Sequence, residues 1–400
     1  MDLKSGQLYW LTGSDQPPHY PVLGRDVVCE VAVVGGGITG ALAAYYLAEA
    51  GIEVVLVDKR SVARGSTSAS TALLLPELDT HLGRLIDLVG EKHAVRSYRL
   101  GVRAIDAIET LTRTLGDPCG FERKPSLYLA SSERDADELA REWELRRKYG
   151  IDVELLGRAD LEACYSFRRP AALRSRAGAQ VDPFRLTLRL IERAWQHGLR
   201  VYEHTAVIGY EPQAGGITLL TGGGPKVRAR RVVFATGYES QQHLRQATVQ
   251  LTSTYAVASE PIERFPGWPD RCLIWETARP YLYLRTTADN RVLIGGADEE
   301  FQDPGRRDAL LPEKCRFLRE QFREMFPEIR FEAAYTWAGT FGGTGDGLPY
   351  IGEAPDFPGA CFALGYGGNG MTFGMIAAEI LRDRYLGRVN PDAEIFRFGR

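Results

Sequence analysis

The chain is poor in cysteine, histidine and methionine, with 6, 6 and 4 of them among 400 residues. None of the cysteines (29, 119, 164, 272, 315, 361) forms a CxxC pair, so neither a disulfide framework nor a zinc site is expected and the thiols read as reduced. The histidines have no HxxxH spacing, and no metal is expected. An excess of one charge is also missing. Lys plus Arg number 49 against 52 Asp plus Glu, a net charge of -3, so a nucleic-acid partner has no electrostatic basis. There is no long hydrophobic run. The most apolar window, Val27 to Leu47, is interrupted by Glu30 and by Gly35-Gly36-Gly37, and no membrane segment is expected. The opening MDLKSGQLYW lacks the basic-then-apolar order of a signal peptide, and a cytoplasmic location is the expectation. Repeats and low-complexity linkers are absent. What remains is an ordinary globular balance, 44% apolar and 25% charged, on a chain long enough for two domains.

The clearest local signal lies early. VCEVAVV (28–34) is an apolar run ending in glycine, as a buried parallel strand would be. Ile38 to Glu49 follows as a helix with Ala41, Ala44, Tyr45 and Ala48 on one face; Gly51 ends it, and VVLVD (54–58) is the next strand. Tyr98, Val102, Ile105, Ile108, Leu111 and Leu115 then mark a long amphipathic helix stopped by Gly116, and 133–149 a second helix with a solvated charged face. Asp182-Pro183 reads as an N-cap with proline at the first helical position, opening a helix to His197. Strands are expected at RVYEHTAVIGYE, GITLL and RVVFATG (231–237). From 248 to 300 the signal is mostly strand: TSTYAVASE, CLIWE, PYLYLRTT and RVLIGG. Pro312 to Met325 reads as a helix burying Cys315, Leu318, Phe322 and Met325. YTWAG, a glycine-rich loop and a helix from Thr372 to Leu386 complete the chain.

VAVVGGGITGALAAYYLAEAGIEVVLVD contains Gly35-x-Gly37-x-x-Gly40, with Asp58 eighteen residues beyond the last glycine. Between a strand and a helix this is a dinucleotide fingerprint. Gly35 permits the turn, Gly37 lets backbone approach a pyrophosphate, and Gly40 lets helix and strand pack closely. The helix N-terminus meets the phosphate charge, and Asp58 is expected to accept from the ribose hydroxyls. No second GxGxxG is present for a pyridine nucleotide, and RVVFATG is the pattern of a later strand in flavoprotein Rossmann domains; together they favour FAD.

At this point the chain resembles the D-amino-acid oxidase superfamily of FAD-dependent oxidoreductases, which includes glycine oxidase, sarcosine oxidase and γ-glutamylputrescine oxidase. Besides GGGITG and ATG, the resemblance rests on RGSTSASTAL (64–73), on Trp337-Ala-Gly followed by DGLPYIG (346–352) and GYGGNGMT (365–372), and on Arg279-Pro-Tyr-Leu-Tyr-Leu-Arg285 with RVLIGG. The fold it implies is α/β plus α+β: a Rossmann-like FAD-binding domain and an antiparallel-sheet substrate domain between which the chain crosses. The expected partition is an N-terminal extension (1–27), an FAD domain (28–80, 165–240 and 335–400) and a substrate domain (81–164 and 241–334). The resemblance implies cofactor contacts at Gly35, Gly37, Ile38, Thr39, Gly40, Asp58, Lys59, Ser66, Thr67, Ser70, Thr71, Ala72, Val207, Ala235, Thr236, Gly237, Gly343, Gly368, Asn369, Gly370, Met371 and Thr372. It places Tyr281, Tyr283 and Arg279 at the substrate, with Tyr281 orienting it and Tyr283 on the same strand face.

One departure stands out. Amino-acid oxidases of this family carry an arginine before the DGxPYIG stretch to grip the substrate carboxylate, and here that register holds Thr340-Phe341. A guanidinium–carboxylate pair is the strongest orienting contact such a site can make. Its absence argues against a simple α-amino acid unless Arg279 or Arg285 supplies the charge. Residues 337–352 also lack the cysteine that sarcosine oxidases link to flavin, so non-covalent FAD is expected. The implied reaction is oxidation of a C–N bond by hydride transfer from the α-carbon to flavin N5, giving an imine that hydrolyses; the electron acceptor is dioxygen or another carrier. Trp275, Tyr281, Trp337, Phe341 and Tyr366 hint at an apolar or aromatic amine. Two other readings remain open: an FAD-dependent dehydrogenase of a 2-hydroxy acid or polyol, which would be favoured by a histidine near the ring, and a non-catalytic protein holding FAD as a structural ligand.

Overall fold

The strand Val27–Val34 is buried on both faces, with Val31, Ala32 and Val33 at 0% exposure, so its sheet needs cover on each side. Parallel strands Arg200–Tyr202, Val54–Val57, Val27–Val34 and Lys226–Phe234 lie side by side in that order. The last strand forks: Lys226–Ala229 pairs with the antiparallel Gly216–Thr221, while Val232–Phe234 pairs with the parallel Ala360–Leu364. Helices Ile38–Glu49, Pro183–Gln196 and Gly370–Tyr385 cover one face. Small residues on the first helix let the other two approach; Leu42 is in van der Waals reach of a Cβ added at Gly374. Aromatic residues fill the opposite face, where Phe234 stacks on Phe362 and Tyr210 meets Phe357. This computed structural model describes residues 1–13, 18–242, 244 and 249–400; positions 14–17 of the expected N-terminal extension, and 248, where the strand-rich stretch is expected to begin, lie outside them.

A second sheet of nine strands is mainly antiparallel, with Gln250–Ser259, Val292–Glu299, Tyr283–Thr286 and Leu273–Glu276 at its centre. The helix Pro304–Met325 covers one face, burying Cys315, Leu318, Phe322 and Met325 against it. That helix begins earlier than the expected Pro312. Asp303 caps it by accepting the Arg306 N–H, Pro304 occupies its first position, and Pro312 lies inside. A proline in a sequence reads as a start, yet the cap nine residues upstream sets the true one.

The expected partition needs correction at three points. Lys4–Gly6, within the supposed extension, is an edge strand of the nine-stranded sheet. Ala171–Ser175, and Ala333–Gly343 from residue 335 onward, fall within the expected FAD domain but are strands of that same sheet. A sequence reveals that a stretch is a strand; which ladder its N–H and C=O groups join is decided by tertiary pairing.

The two sheets are joined through the segment 69–72. Trp337 Nε1–H donates to the Ala69 carbonyl at 2.9 Å and Trp10 Nε1–H to the Ser70 carbonyl at 2.6 Å. Arg285 Nη1–H donates to the carbonyls of Thr71 (3.0 Å), Ala72 (2.8 Å) and Val181 (2.9 Å), and its Nε–H to that of Thr286 (3.0 Å). Its side chain is 2% exposed and lies over the Trp10 ring. Burial pulls the guanidinium pKa down to about 10, against the raising pull of Asp182 and Tyr9. Replacing Arg285 by methionine keeps most of the volume but leaves these carbonyls without a donor. The expected cost is about 3 kcal/mol, read as a melting temperature lowered by several degrees with FAD released earlier in the same ramp.

Candidate active site

Gly35 sits at φ +105°, where a Cβ would lie 2.5 Å from the Ala235 carbonyl oxygen. A Cβ on Gly40 would occupy the space of the Gly35 carbonyl oxygen, and one on Gly37 would crowd Thr67 Oγ1 at 3.1 Å. Gly35 and Gly40 therefore tolerate no side chain, one at Gly37 would have to push Thr67 aside, and their bareness brings the N-terminus of helix Ile38–Glu49 onto the end of strand Val27–Val34. Thr67 Oγ1 accepts the Ile38 N–H at 3.0 Å, one of the helix's orphan donors. Asp58 receives Gly36 N–H on one oxygen (2.6 Å) and Arg60 N–H on the other (2.7 Å). Burial raises its pKa even so, against the lowering pull of those N–H groups. Lys59 turns to Glu239 at 2.7 Å.

A cleft runs from this turn between the sheets. Its first part is lined by Gly35, Gly37, Ile38, Thr39, Asp58, Lys59, Ser66, Thr67, Ser70, Val207, Ala235, Thr236, Gly237, Gly370 and Met371, with Tyr238 and Glu239 beside them. Its second part, a chamber under the nine-stranded sheet, is lined by Thr71, Ala72, Asp79, Tyr238, Thr254, Trp275, Tyr281, Tyr283, Thr340, Phe341, Gly368 and Asn369. Leu3, Ser66, Ser70, Tyr238, Gly370 and Met371 border both parts, so the cleft is continuous. Of the expected cofactor residues, Gly40, Gly343 and Thr372 do not line it. Gly40 acts by packing, Thr372 is 2% exposed with its hydroxyl on the Asn369 carbonyl, and Gly343 ends its strand beyond the lining residues 339–341.

At the chamber, Tyr281 and Tyr283 stand together with ring centroids 5.7 Å apart. Tyr281 precedes its strand, which starts at Tyr283. Glycines make the space: a Cβ on Gly295 would come within 2.5 Å of the Tyr283 hydroxyl, and Gly296, at φ +133°, backs onto the Tyr281 carbonyl. The Tyr283 hydroxyl reaches Thr254 Oγ1 at 3.4 Å. Burial pushes both tyrosine pKa values up, with Asp79 adding to Tyr281 and Asp298 to Tyr283. Both phenols are therefore neutral donors at physiological pH.

Neither candidate arginine lines the chamber. Arg285 is committed to backbone carbonyls, and Arg279 lies over the Tyr281 ring at 4.9 Å while donating to the carbonyls of Glu276, Thr277 and Ala278. Trp337 is core and pins Ala69, and Tyr366 borders the nucleotide part of the cleft, whereas Trp275 and Phe341 do wall the chamber.

Asp79 and Tyr238 escaped sequence reasoning. Asp79 Oδ2 accepts the Gly368 N–H at 2.9 Å, at the start of helix Gly370–Tyr385. Asn369 Nδ2–H donates to the Glu77 carbonyl at 3.0 Å, so the glycine loop is strapped to residues 77–79. Burial raises the Asp79 pKa against the Gly368 N–H and the Arg279 charge. The one sequence signal was an acid (PELDT) soon after the small-residue segment, and nothing in its spacing brings it back to residue 368.

A dinucleotide turn opening into an aromatic chamber beneath a second sheet defines a nucleotide-dependent oxidoreductase architecture. Residues 30–384 match the DAO family, described as FAD dependent oxidoreductase, and the chain belongs to that family with FAD as its cofactor. The backbone at 35–40, the hydroxyl-bearing segment 66–71 and the start of helix Gly370–Tyr385 are the groups that would hold it, and no cysteine lines the cleft among the described residues. The chain is 26% identical to the putative Rieske 2Fe-2S iron-sulfur protein YhfW of Bacillus subtilis, over 98% of this chain and 75% of that protein. It is 26% identical to the gamma-glutamylputrescine oxidoreductase of Escherichia coli, over 94% of this chain and 88% of the other. Its fold superposes on the crystal structure of glycine oxidase from Geobacillus kaustophilus with a TM-score of 0.77, at 23% identity, covering 93% and 99% of the two chains.

Replacing Gly295 by alanine tests the tyrosine pair. The added methyl must displace the Tyr283 ring; the expected result is at least a tenfold loss of kcat/KM with FAD occupancy unchanged, read from turnover and the visible spectrum of the same sample.

Proposed function

We propose that this protein oxidises a C–N bond of an amine or amino-acid derivative. The observation that carries the reading is the make-up of the chamber: paired tyrosines face a helix N-terminus, and no histidine lines it among the described residues. His81, the nearest candidate, is held behind the wall by the Tyr128 hydroxyl at 2.9 Å, and Tyr128 stacks on Trp275. Burial lowers its pKa. A hydroxyl group must lose a proton as its carbon is oxidised, and a base such as histidine usually takes it. A neutral amine needs no such base, because its lone pair forms the C=N bond as the α-carbon hydride departs.

FAD supplies the two-electron acceptor for that hydride. Tyr281 and Tyr283 donate hydrogen bonds that orient the substrate, and the aromatic walls exclude water until the step is complete. The N–H groups of Gly370, Met371 and Thr372 have no intrahelical partner and favour the negative charge that builds on reduction. Water then converts the iminium into a carbonyl compound and an amine or ammonium. The cytoplasm remains the proposed location. The Rieske name of one relative motivates testing a one-electron iron–sulfur acceptor beside dioxygen.

An anaerobic titration decides the class of donor. Pools of amines, amino acids and 2-hydroxy acids are added separately to the yellow holoprotein; bleaching by an amine-bearing pool is expected, and bleaching by hydroxy acids alone would overturn the reading. Admitting air, or an oxidised iron–sulfur protein, to the bleached sample then identifies the acceptor. For the reactive pool, Tyr281→Phe is expected to lower kcat/KM by about tenfold, the worth of one hydrogen bond, with FAD retained; unchanged kinetics would remove Tyr281 from the site.

A further inference from the structure

We propose that Asp79 selects the substrate by positive charge, so that the chamber takes amines carrying a second cationic group and rejects those carrying a carboxylate. The inference rests on the C–N reading above and names the substrate class of that same site. It begins from the chamber's charge. Among its described lining residues there is no lysine, arginine or histidine, and Asp79 is the single formally charged side chain. Only one oxygen of Asp79 is used: Oδ2 takes the Gly368 N–H, while Oδ1 receives no hydrogen bond from the described residues.

The surroundings reinforce that sign. Asp298, behind the tyrosine pair, has a buried Oδ1 without a partner. Its charge and that of Asp79 both act on Tyr281, with Arg279 opposing. The Arg279 guanidinium is already engaged by three backbone carbonyls. Lys314, which also acts on Asp298, pairs with Glu299. The walls are aromatic: Trp275, Tyr281, Tyr283 and Phe341 line the chamber and their rings attract ammonium groups, while a carboxylate finds only neutral donors there, the tyrosine phenols and the helix-start N–H groups. A carboxylate entering here would meet a like charge with no cation among the described residues to receive it, whereas an ammonium would find a carboxylate oxygen with free lone pairs.

The position of Asp79 also separates the two ends of such a substrate. It is fixed to Gly368, beside the helix start that borders the nucleotide part of the cleft, and the amine to be oxidised must be uncharged. The ammonium held by Asp79 is therefore the non-reacting one.

The test needs a readout that does not depend on turnover. The wild-type holoprotein is titrated with tetramethylammonium, tert-butanol and pivalate, three compounds of similar size and different charge, following the flavin absorption bands. Tighter binding of tetramethylammonium than of either other probe, by tenfold or more, is expected; equal or tighter binding of pivalate would overturn the proposal whether or not any amine is oxidised. In Asp79→Asn, which keeps an acceptor for Gly368, tetramethylammonium affinity is expected to fall at least tenfold with tert-butanol affinity unchanged. Kinetics then compare 1,4-diaminobutane, butylamine and 4-aminobutanoate by anaerobic flavin reduction. The diamine is expected to lead in the wild type and to lose at least tenfold of its advantage over butylamine in Asp79→Asn. If 4-aminobutanoate leads, the charge assignment falls while C–N oxidation stands; if no amine of any kind reduces the flavin, C–N oxidation falls and the tetramethylammonium titration still decides the charge.

Discussion

Four consecutive carbonyls, those of residues 69 to 72, are each held by a side chain from outside the dinucleotide unit. Two indoles and one guanidinium do this, and all three are buried. The backbone beside a flavin must present its remaining donors and hydroxyls to the cofactor, and it does so only if its carbonyls are satisfied elsewhere. Trp337 and Arg285 belong to the nine-stranded sheet, so the groups that orient the cofactor segment also fix that sheet above it. Arg285 shows why a buried cation is worth keeping here. With no carboxylate of the described residues in hydrogen-bond reach, its charge is met by four carbonyl dipoles, and an apolar side chain would leave them orphaned.

The same logic places the acid in the chamber. Residues 77–83 are held from below by a buried ionic cluster: Ser126 donates to the Glu77 carboxylate, Arg146 pairs with Glu142 at 2.8 Å, and Glu142 accepts the Leu82 N–H at 2.7 Å. Tyr98 adds a bond to the Thr80 carbonyl. Asp79 sits between these anchors with its carboxylate turned the other way, to Gly368. Its geometry is thus set by contacts on two helices and a strand that do not line the cleft, which makes it rigid and pre-organised.

Much of this was legible in the sequence because it is local. Gly35, Gly37 and Gly40 have meaning only at that spacing, and the Asp182-Pro183 cap names its own helix; the structure has Asp182 accepting from Phe184 and Arg185 N–H. Tyr281 followed from the family resemblance and Tyr283 from its spacing two residues on, although the strand begins only at Tyr283. What was not legible is long-range. Arg285 and Arg279 both looked like carboxylate ligands, yet which way a strand residue turns depends on the sheet above or below it, and one of them is spent on carbonyls 104 and more residues away. The allotment of Ala171–Ser175 and Ala333–Gly343 failed for the same reason: ladder partners carry no local mark. Asp79 and Gly368, 289 residues apart in sequence, meet only once both units are assembled.

The absent arginine and the aspartate at position 79 are two sides of one electrostatic reading. A site that grips a carboxylate gains its orientation from one strong ion pair, and the rest of the pocket needs only shape. Once Thr340 and Phe341 occupy that register, the chamber has no cation among its described residues to offer, and an anion entering it trades hydration only for neutral donors. Orientation must then come from the opposite sign and from ring faces, both of which the chamber supplies. Such a site discriminates chiefly by rejection: a carboxylate is excluded by an uncompensated like charge, a larger penalty than any single attractive contact returns. The fold and FAD cofactor of the family are kept, while on the proposed reading the sign of the fixed charge beside the tyrosine pair selects among substrates.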